Sequence, residues 1–307
     1  MKRVLCLVCI CTSLMFFGLH ANAQYYYYND KYYDNAVTIE VGGSIGIMNA
    51  FTDLGGKKGV GKKFIKDLNW KNSRPSFSVY TTATYKYAIA GRLEGTFGSI
   101  RAYDSILKPV KTTTYGRYER NLSFKSTITD IQLAIEVHPL FFKNYEDGDP
   151  PRISPYAVAG IGYFSFDPQA NLNGHWYSLQ PLHTEGQGFK EYPNRKNYKL
   201  KQINFPIGAG FKYEVNSFIN ARLELVYRIL TTDYLDDVST TYIDGSVFPN
   251  HLSSGMAAIA QQLYDRQSEL DPTHDTAIGG QRGDPSNKDA FFSIQLKIGM
   301  ILGRQLR

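Results

Sequence analysis

Apolar and polar residues alternate one by one along much of this chain. In its last apolar stretch Phe292, Ile294, Leu296, Ile298 and Met300 alternate with Ser293, Gln295, Lys297 and Gly299. Ala221, Leu223, Leu225, Tyr227 and Ile229 stand against Asn220, Arg222, Glu224 and Arg228. Ile203, Phe205, Ile207, Ala209, Phe211, Tyr213 and Val215 stand against Gln202, Asn204, Gly208, Gly210, Lys212 and Glu214. A period of two puts the apolar side chains on one face of a strand and the polar ones on the other. Eight such segments occur, at 37–49, 75–87, 89–101, 122–138, 155–166, 202–215, 219–232 and 291–302. They exceed the ~5–6 residues of an ordinary strand and match the ~9–11 that a tilted strand needs to cross a bilayer.

The connections alternate in length. Segments two and three join through a tight turn at Ala88, six and seven through Asn216-Ser217-Phe218, and four and five through a moderate link ending at Asp149-Pro150-Pro151-Arg152. The other links, 50–74, 102–121, 167–201 and 233–290, are long. Short periplasmic turns and long outer loops are the pattern of bacterial outer-membrane barrels. A closed barrel also satisfies every backbone group without water, as lipid demands. The expected fold is all-β: an eight-stranded antiparallel transmembrane β-barrel over 37–307 with long extracellular loops. A soluble eight-stranded barrel of the lipocalin type would share the alternation with its faces reversed.

The amino terminus argues for export. Lys2 and Arg3 head an almost wholly apolar run from Val4 to Leu19, and Ala21-Asn22-Ala23 supplies small residues for a signal peptidase. We expect a signal peptide over 1–23, cut before Gln24, followed by a periplasmic segment over 24–36. Cys6, Cys9 and Cys11 all lie in the leader, so the exported chain holds no disulfide and no thiolate site. Tyr (23), Phe (18) and Gly (27) are abundant, which suits strands, turns and crowded barrel interiors. The formal net charge of +6 includes Lys2 and Arg3 of the leader, and the modest remainder does not suggest nucleic acid.

If the apolar face looks outward, the inward set holds Glu40, Lys86, Arg92, Glu94, Asp130, Gln132, Glu136, Lys212, Glu214, Arg222, Glu224, Arg228 and Lys297. Eight strands leave an interior that side chains fill, so these nearly balanced charges are expected to form an ion network rather than line a pore. Arg222, Glu224 and Arg228 should face Lys212 and Glu214 on the preceding strand. The work of such a plugged barrel falls to its loops, rims and outer wall.

Local motifs do not make an enzyme. Gly56-Lys57-Lys58-Gly59-Val60-Gly61-Lys62 resembles a phosphate loop, but Lys63 stands where Ser or Thr would hold magnesium. It reads as a basic surface loop. His175, His183 and Glu185 share a loop without metal-site spacing, and Asp233, Asp236 and Asp237 lack the alternating oxygens and turn glycine of a calcium loop. The three aspartates read as a solvated acidic rim. Residues 256–270 carry Met256, Ile259, Ala260, Leu263 and Tyr264 at helical spacing, a short amphipathic helix for the rim or a partner.

Several runs resemble the PorG-type outer-membrane barrels of Bacteroidetes, a component family of the type IX secretion system. They are Pro155-Tyr156-Ala157-Val158-Ala159-Gly160-Ile161-Gly162, Phe166-Asp167-Pro168-Gln169-Ala170, and Leu179-Gln180-Pro181-Leu182-His183-Thr184-Glu185-Gly186-Gln187-Gly188. Further ones are Pro206-Ile207-Gly208-Ala209-Gly210-Phe211-Lys212-Tyr213, Thr232-Asp233-Tyr234-Leu235-Asp236-Asp237-Val238-Ser239, and Arg282-Gly283-Asp284-Pro285, with Asp53-Leu54 and Phe97-Gly98-Ser99-Ile100. The specific parts are the runs holding Thr184 and Glu185 and those holding Asp236 and Asp237. The chain departs in a basic, lengthened first loop, an insertion around 252–280 and the lack of a terminal aromatic. The resemblance implies a non-catalytic barrel, without cofactor or small-molecule substrate, that sits among outer-membrane lipids and binds periplasmic ring proteins of the secretion machine. The alternatives are a loop-based enzyme on the barrel scaffold and a barrel with another role. For the partner contact we expect Tyr25, Tyr26, Tyr27, Tyr28, Tyr32 and Tyr33, since tyrosines bury large area at low entropy cost; an aromatic belt at the headgroups is the rival use.

Overall fold

The computed structural model describes residues 25–29, 32–59, 68–142, 151–303 and 305–306, with the backbone alone for 25–35 and 305–306. The expected leader over 1–23 lies outside the described residues. The described strands are β1 (Tyr25–Asn29), β2 (Tyr32–Asn35), β3 (Val37–Phe51), β4 (Arg74–Tyr85), β5 (Ile89–Tyr103), β6 (Ser123–Val137), β7 (Ile153–Ser165), β8 (Gln169–Leu172), β9 (His175–Ser178), β10 (Lys201–Glu214), β11 (Ile219–Leu230), β12 (Ala290–Leu302) and β13 (Gln305–Leu306). Eight of them run in the order β5-β4-β3-β12-β11-β10-β7-β6, and β6 pairs back onto β5. All these pairings are antiparallel, and the sheet is a closed barrel. The seam between the first and last barrel strands runs in unbroken register from Ala290↔Phe51 to Leu302↔Ile39.

The eight barrel strands start and end within about two residues of the segments predicted by alternation. The structure also settles which face is which. Ile45, Val79, Leu133 and Ile298 point outward at 60–62% exposure, whereas Arg92, Arg228 and Lys297 point inward at 0%. An apolar wall around a charged interior is the inverse of a soluble barrel and fits a bilayer. No described helix is long and apolar enough to cross a membrane, which says nothing of strands.

Sequence periodicity does not reveal the short strands. β8 and β9 form a hairpin that joins the loop end of β6 through Lys125↔Gln169. Backbone pairing also links β1 to β2, and β13 to β2 at Tyr32 and Tyr33. The tyrosine side chains proposed for the partner contact, Tyr25 through Tyr33, lie outside the described residues.

The two ends of the barrel differ. At the turn end Lys86 and Tyr87 both have positive φ (46° and 59°), and Ala88 donates its N–H to the Tyr85 carbonyl. Two central residues of positive φ twist a hairpin turn to match its strands. At the loop end the long connections fold into a cap with its own apolar core. Leu54, Phe166, Leu182, Phe189, Leu235, Ile243, Phe248 and Leu263 pack together with strand-end residues such as Met48, Ile100, Phe164 and Phe291. The predicted helix is present but short, Ser254–Leu263, and Ala257, Ala260 and Leu263 bury its apolar face in this core instead of leaving it free on the rim.

Candidate functional site

Two polar networks and one cleft stand out, the first network inside the barrel. Alternation sends Arg92 and Glu94 of β5, Asp130 and Glu136 of β6, Arg222, Glu224 and Arg228 of β11, Lys297 of β12 and Glu40 of β3 into the lumen, all buried. Arg222 reaches Glu40 at 2.7 Å and Glu136 at 2.8 Å. Arg92 contacts Glu94 at 3.2 Å, Glu136 at 3.0 Å and Glu224 at 2.5 Å. Lys297 closes the loop on Glu94 at 2.6 Å and Glu224 at 2.8 Å. Nearer the loop end Arg228 meets Asp130 at 2.7 Å.

Neutral groups take up the remaining lone pairs. Tyr80 donates to Glu40, Tyr156 and Glu224 share a 2.7 Å bond, Asn220 donates to Glu40, and Asn204 donates to Asp130. The Arg222 guanidinium also lies over the Tyr80 and Tyr156 rings, at 5.4 and 5.6 Å. Lumen glycines make room: a Cβ on Gly42 would lie 2.6 Å from the Tyr80 ring and one on Gly210 2.7 Å from the Tyr156 hydroxyl. At the turn end Tyr87 packs on Phe141 (5.8 Å), and His138 stacks on Tyr156 (5.1 Å), forming an aromatic floor.

The predicted lumen set thus converges with two corrections: Lys86 is exposed in the β4–β5 turn rather than in the lumen, because the strand ends at Tyr85, and one pairing differs. Across β10 and β11 it is Lys212 that faces Arg222, Gly210 that faces Glu224, and Glu214 that faces Asn220. Lys212 and Glu214 are only half-buried at the turn end. Glu224 instead finds Arg92 on β5, across the lumen, and Lys297 on the neighbouring β12, because β10 offers only glycine at that level.

The second network locks the cap and overturns the solvated acidic rim. Asp236 and Asp237 are fully buried. Thr184 donates to Asp237 at 2.5 Å, and Tyr198 donates to the same carboxylate at 2.7 Å. Glu185 accepts from the Ser239 and Thr240 amides, from the Thr240 hydroxyl at 2.6 Å, and from Arg282 at 2.9 Å. Arg282 further donates to the carbonyls of Asp237 and Tyr264. Asp236 holds the Leu54 amide, Asp53 the Asp284 amide and Asp289 the Leu235 amide. Asp233, half-buried, accepts from Ser239. The runs that carry the family resemblance are therefore the joints of the cap. In the sequence Arg282 is named only within the Arg282-Gly283-Asp284-Pro285 run and without a role, since a single arginine in a loop gives no periodic signal.

Burial dominates the protonation of these acids. It pushes Asp53 and Asp237 up to about 6 and Asp233 up to about 8, the neighbouring carboxylates adding to the rise. Asp236 and Asp289 rise well above the usual carboxylate range by burial and by the nearby charges of Asp53 and Asp233. Among the described residues no three His, Cys, Asp or Glu side chains are placed to share a metal ion.

A cleft of about 550 Å³ opens beside this network, between the first loop and the last. Asp53, Asn72, Arg120, Tyr242, Arg282 and Asp289 line it. Its arginines are spent on the cap itself: Arg120 holds Asp104 and the carbonyls of Arg282 and Asp53. The basic loop begins at its edge with Lys57 and Lys58 exposed, while 60–67 lie outside the described residues.

No protein-family model matches the sequence, and no curated protein matches it. Among solved structures the chain is similar to OprG, an outer-membrane protein of Pseudomonas aeruginosa, at 9% identity and a TM-score of 0.37, covering 87% of this chain and 96% of that one. It is also similar to Ail, the attachment invasion locus protein of Yersinia pestis, solved with the heparin analogue sucrose octasulfate, at 9% identity and 0.33, covering 87% and 97%. Neisserial surface protein A matches at 8% identity and 0.34, again covering 87% and 97%.

Proposed function

We propose that this chain is a non-catalytic outer-membrane barrel that works by presenting surfaces rather than by conducting or reacting. The observation that carries the reading is the interior filled by paired charges. Four buried cations, Arg92, Arg222, Arg228 and Lys297, are each held by a carboxylate across the lumen. The aromatic floor lies beneath them and the folded cap above, so a hydrated ion has no free charge to follow through the wall. The turn end, where β3 begins and β12 ends, faces the periplasm, and the capped loops face outward.

Within that frame we assign the chain to type IX secretion, on its resemblance to the PorG-type barrels, as an outer-membrane anchor for the periplasmic ring. Tyr25–Tyr33, the 141–152 link and the Asn216 turn are the proposed contact, because the pattern of short turns assigns that side to the periplasm. Neither cofactor nor substrate is required. Two measurements test the two levels separately. In planar bilayers the purified protein is expected to give no stable conductance; a large steady current would overturn the sealed barrel. Deleting residues 25–33 is expected to leave a folded, heat-modifiable barrel while lowering co-purification of ring proteins and secretion of cargo. Unchanged secretion both in that deletion and in a null strain would overturn the type IX assignment and leave the barrel standing.

A further inference from the structure

On the outer wall, at the loop end, two cations sit where neither has an anionic partner among the described residues. Arg101 of β5 pairs directly across from Lys125 of β6. Directly opposed residues of an antiparallel pair hold their Cβ atoms within about 5.5 Å, and like charges there are destabilising. Both side chains are half-buried and share the outward parity of Phe97 on β5 and Ile131 on β6. They lean apart. Arg101 lies against Tyr103 (5.5 Å) and gives one N–H to the Lys71 carbonyl on the β4 side, at 3.3 Å. Lys125 rests its ammonium 3.7 Å from the Trp176 ring centroid on the β9 side. Among the described residues neither makes an ion pair with a carboxylate. Asp167, two residues before the Gln169 that pairs with Lys125, gives its Oδ2 to Gln169 at 2.7 Å and Ser178 at 2.9 Å and forms no ion pair with Lys125 among the described residues.

Height on the wall matters. The apolar outward positions of these strands end at Phe97 and Ile131, and Ser99, Thr127 and Thr129 follow before the two cations. Four residues of strand from Phe97 to Arg101 rise about 13 Å along the strand, or about 9 Å along the membrane normal at a ~45° tilt. That lifts the pair from the hydrocarbon edge into the headgroup layer, with the half-exposed Trp176 at the same level, where indoles settle.

We propose that Arg101 and Lys125 together bind the phosphate of a membrane-lipid headgroup against the outer wall of the barrel. The site presupposes the membrane-spanning barrel with its loops outside. A phosphate between the diverging side chains converts a like-charge clash into two charge-assisted contacts. Arg101 supplies a planar set of donors and Lys125 a point charge, the usual division of labour at phosphate. The exposed Lys71 stands at the β4 edge of the same patch. An acyl-linked phosphate fits better than a free one, because the outward residues below the pair continue into the apolar wall.

Diphosphoryl lipid A is the probe, added to the full detergent-solubilised chain and read by native mass spectrometry. We expect Arg101→Gln/Lys125→Gln to weaken binding by about tenfold or more, and Arg101→Lys/Lys125→Arg to retain it within about threefold. Lys190→Gln, an exposed cation on the cap, should leave it unchanged. Dephosphorylated lipid A should bind the native chain no better than diphosphoryl lipid A binds the double variant. Wild-type affinity in the double variant would overturn the site, as would equal affinity for the dephosphorylated lipid. Displacement of lipid A by inorganic phosphate at millimolar concentration would show a free-anion site instead and equally overturn it. Heat-modifiable migration of each variant checks that it folds, and Lys125→Gln alone serves if the double variant does not. Insertion of the same variants into vesicles separates failure of this site from failure of the barrel itself.

Discussion

At the scale of the residue, Glu224 shows how the lumen holds together. Its carboxylate serves Arg92 at 2.5 Å, Lys297 at 2.8 Å and Tyr156 at 2.7 Å. Glu224→Leu keeps the volume but takes one carboxylate from two buried cations, leaving Arg92 with Glu94 and Glu136 and Lys297 with Glu94 alone, at a cost of about 3 kcal/mol; unfolding in urea, followed by the gel shift of the heat-modifiable barrel, measures it. The cap acids respond to pH in a defined direction. Asp53, Asp237 and Asp233 bind their protons more tightly when folded than the ordinary Asp value of 3.8. Their stabilisation is therefore complete below that value and lost as pH rises through about 6 for Asp53 and Asp237 and about 8 for Asp233. Hydrogen exchange of residues 233–239, corrected for intrinsic rates, should show protection falling between pH 4 and pH 8, and Asp233→Asn should flatten the upper part of that fall. Sequence alone made Asp236 and Asp237 look solvated. Their partners lie on other loops, Leu54 and Thr184 among them, and no local pattern announces a tertiary hydrogen bond.

At the scale of the element, β10 carries a break in its ladder. Its pairing with β7 runs from Lys201↔Ser165 to Asn204↔Gly162 and resumes at Ile207↔Ala159. Pro206 sits in the gap and has no N–H to donate. Pro206→Ala restores a donor where lipid offers none, so we expect stabilisation of about 1 kcal/mol, seen as slower exchange of the flanking amides and a later unfolding midpoint. The eight long strands were legible because each keeps period two for ten residues or more, with one face apolar. The β8–β9 hairpin was not legible, since four-residue strands give too few alternations to count. The helix Ser254–Leu263 was visible in its spacing but not in its role, because an apolar stripe looks the same whether it meets a partner or its own cap.

At the scale of the whole molecule, the barrel and the cap are two bodies of one fold, joined by the shared core of Met48, Ile100, Phe164 and Phe291. Cap defects should therefore spare the wall. Arg282→Met removes the 2.9 Å contact to Glu185 and two carbonyl contacts. We expect trypsin, added to intact cells, to cut this variant at Arg120, a site the native cap buries at 8% exposure. The heat-modifiable barrel should persist in both, and an equally resistant variant would show that Arg282 is dispensable to the cap.

The joints of the cap also set an order in time. Neighbouring hairpins close between residues only a few positions apart at the turn end, whereas the contacts of Arg282 with Glu185, of Asp236 with Leu54 and of Asp284 with Asp53 span 97, 182 and 231 residues. Closing so long a chain segment is entropically slow unless the wall has first brought its ends together. The cap can then form only after the fourth loop has crossed and β12 has met β3. Under the proposed orientation, a finished cap therefore marks a chain whose barrel is already closed.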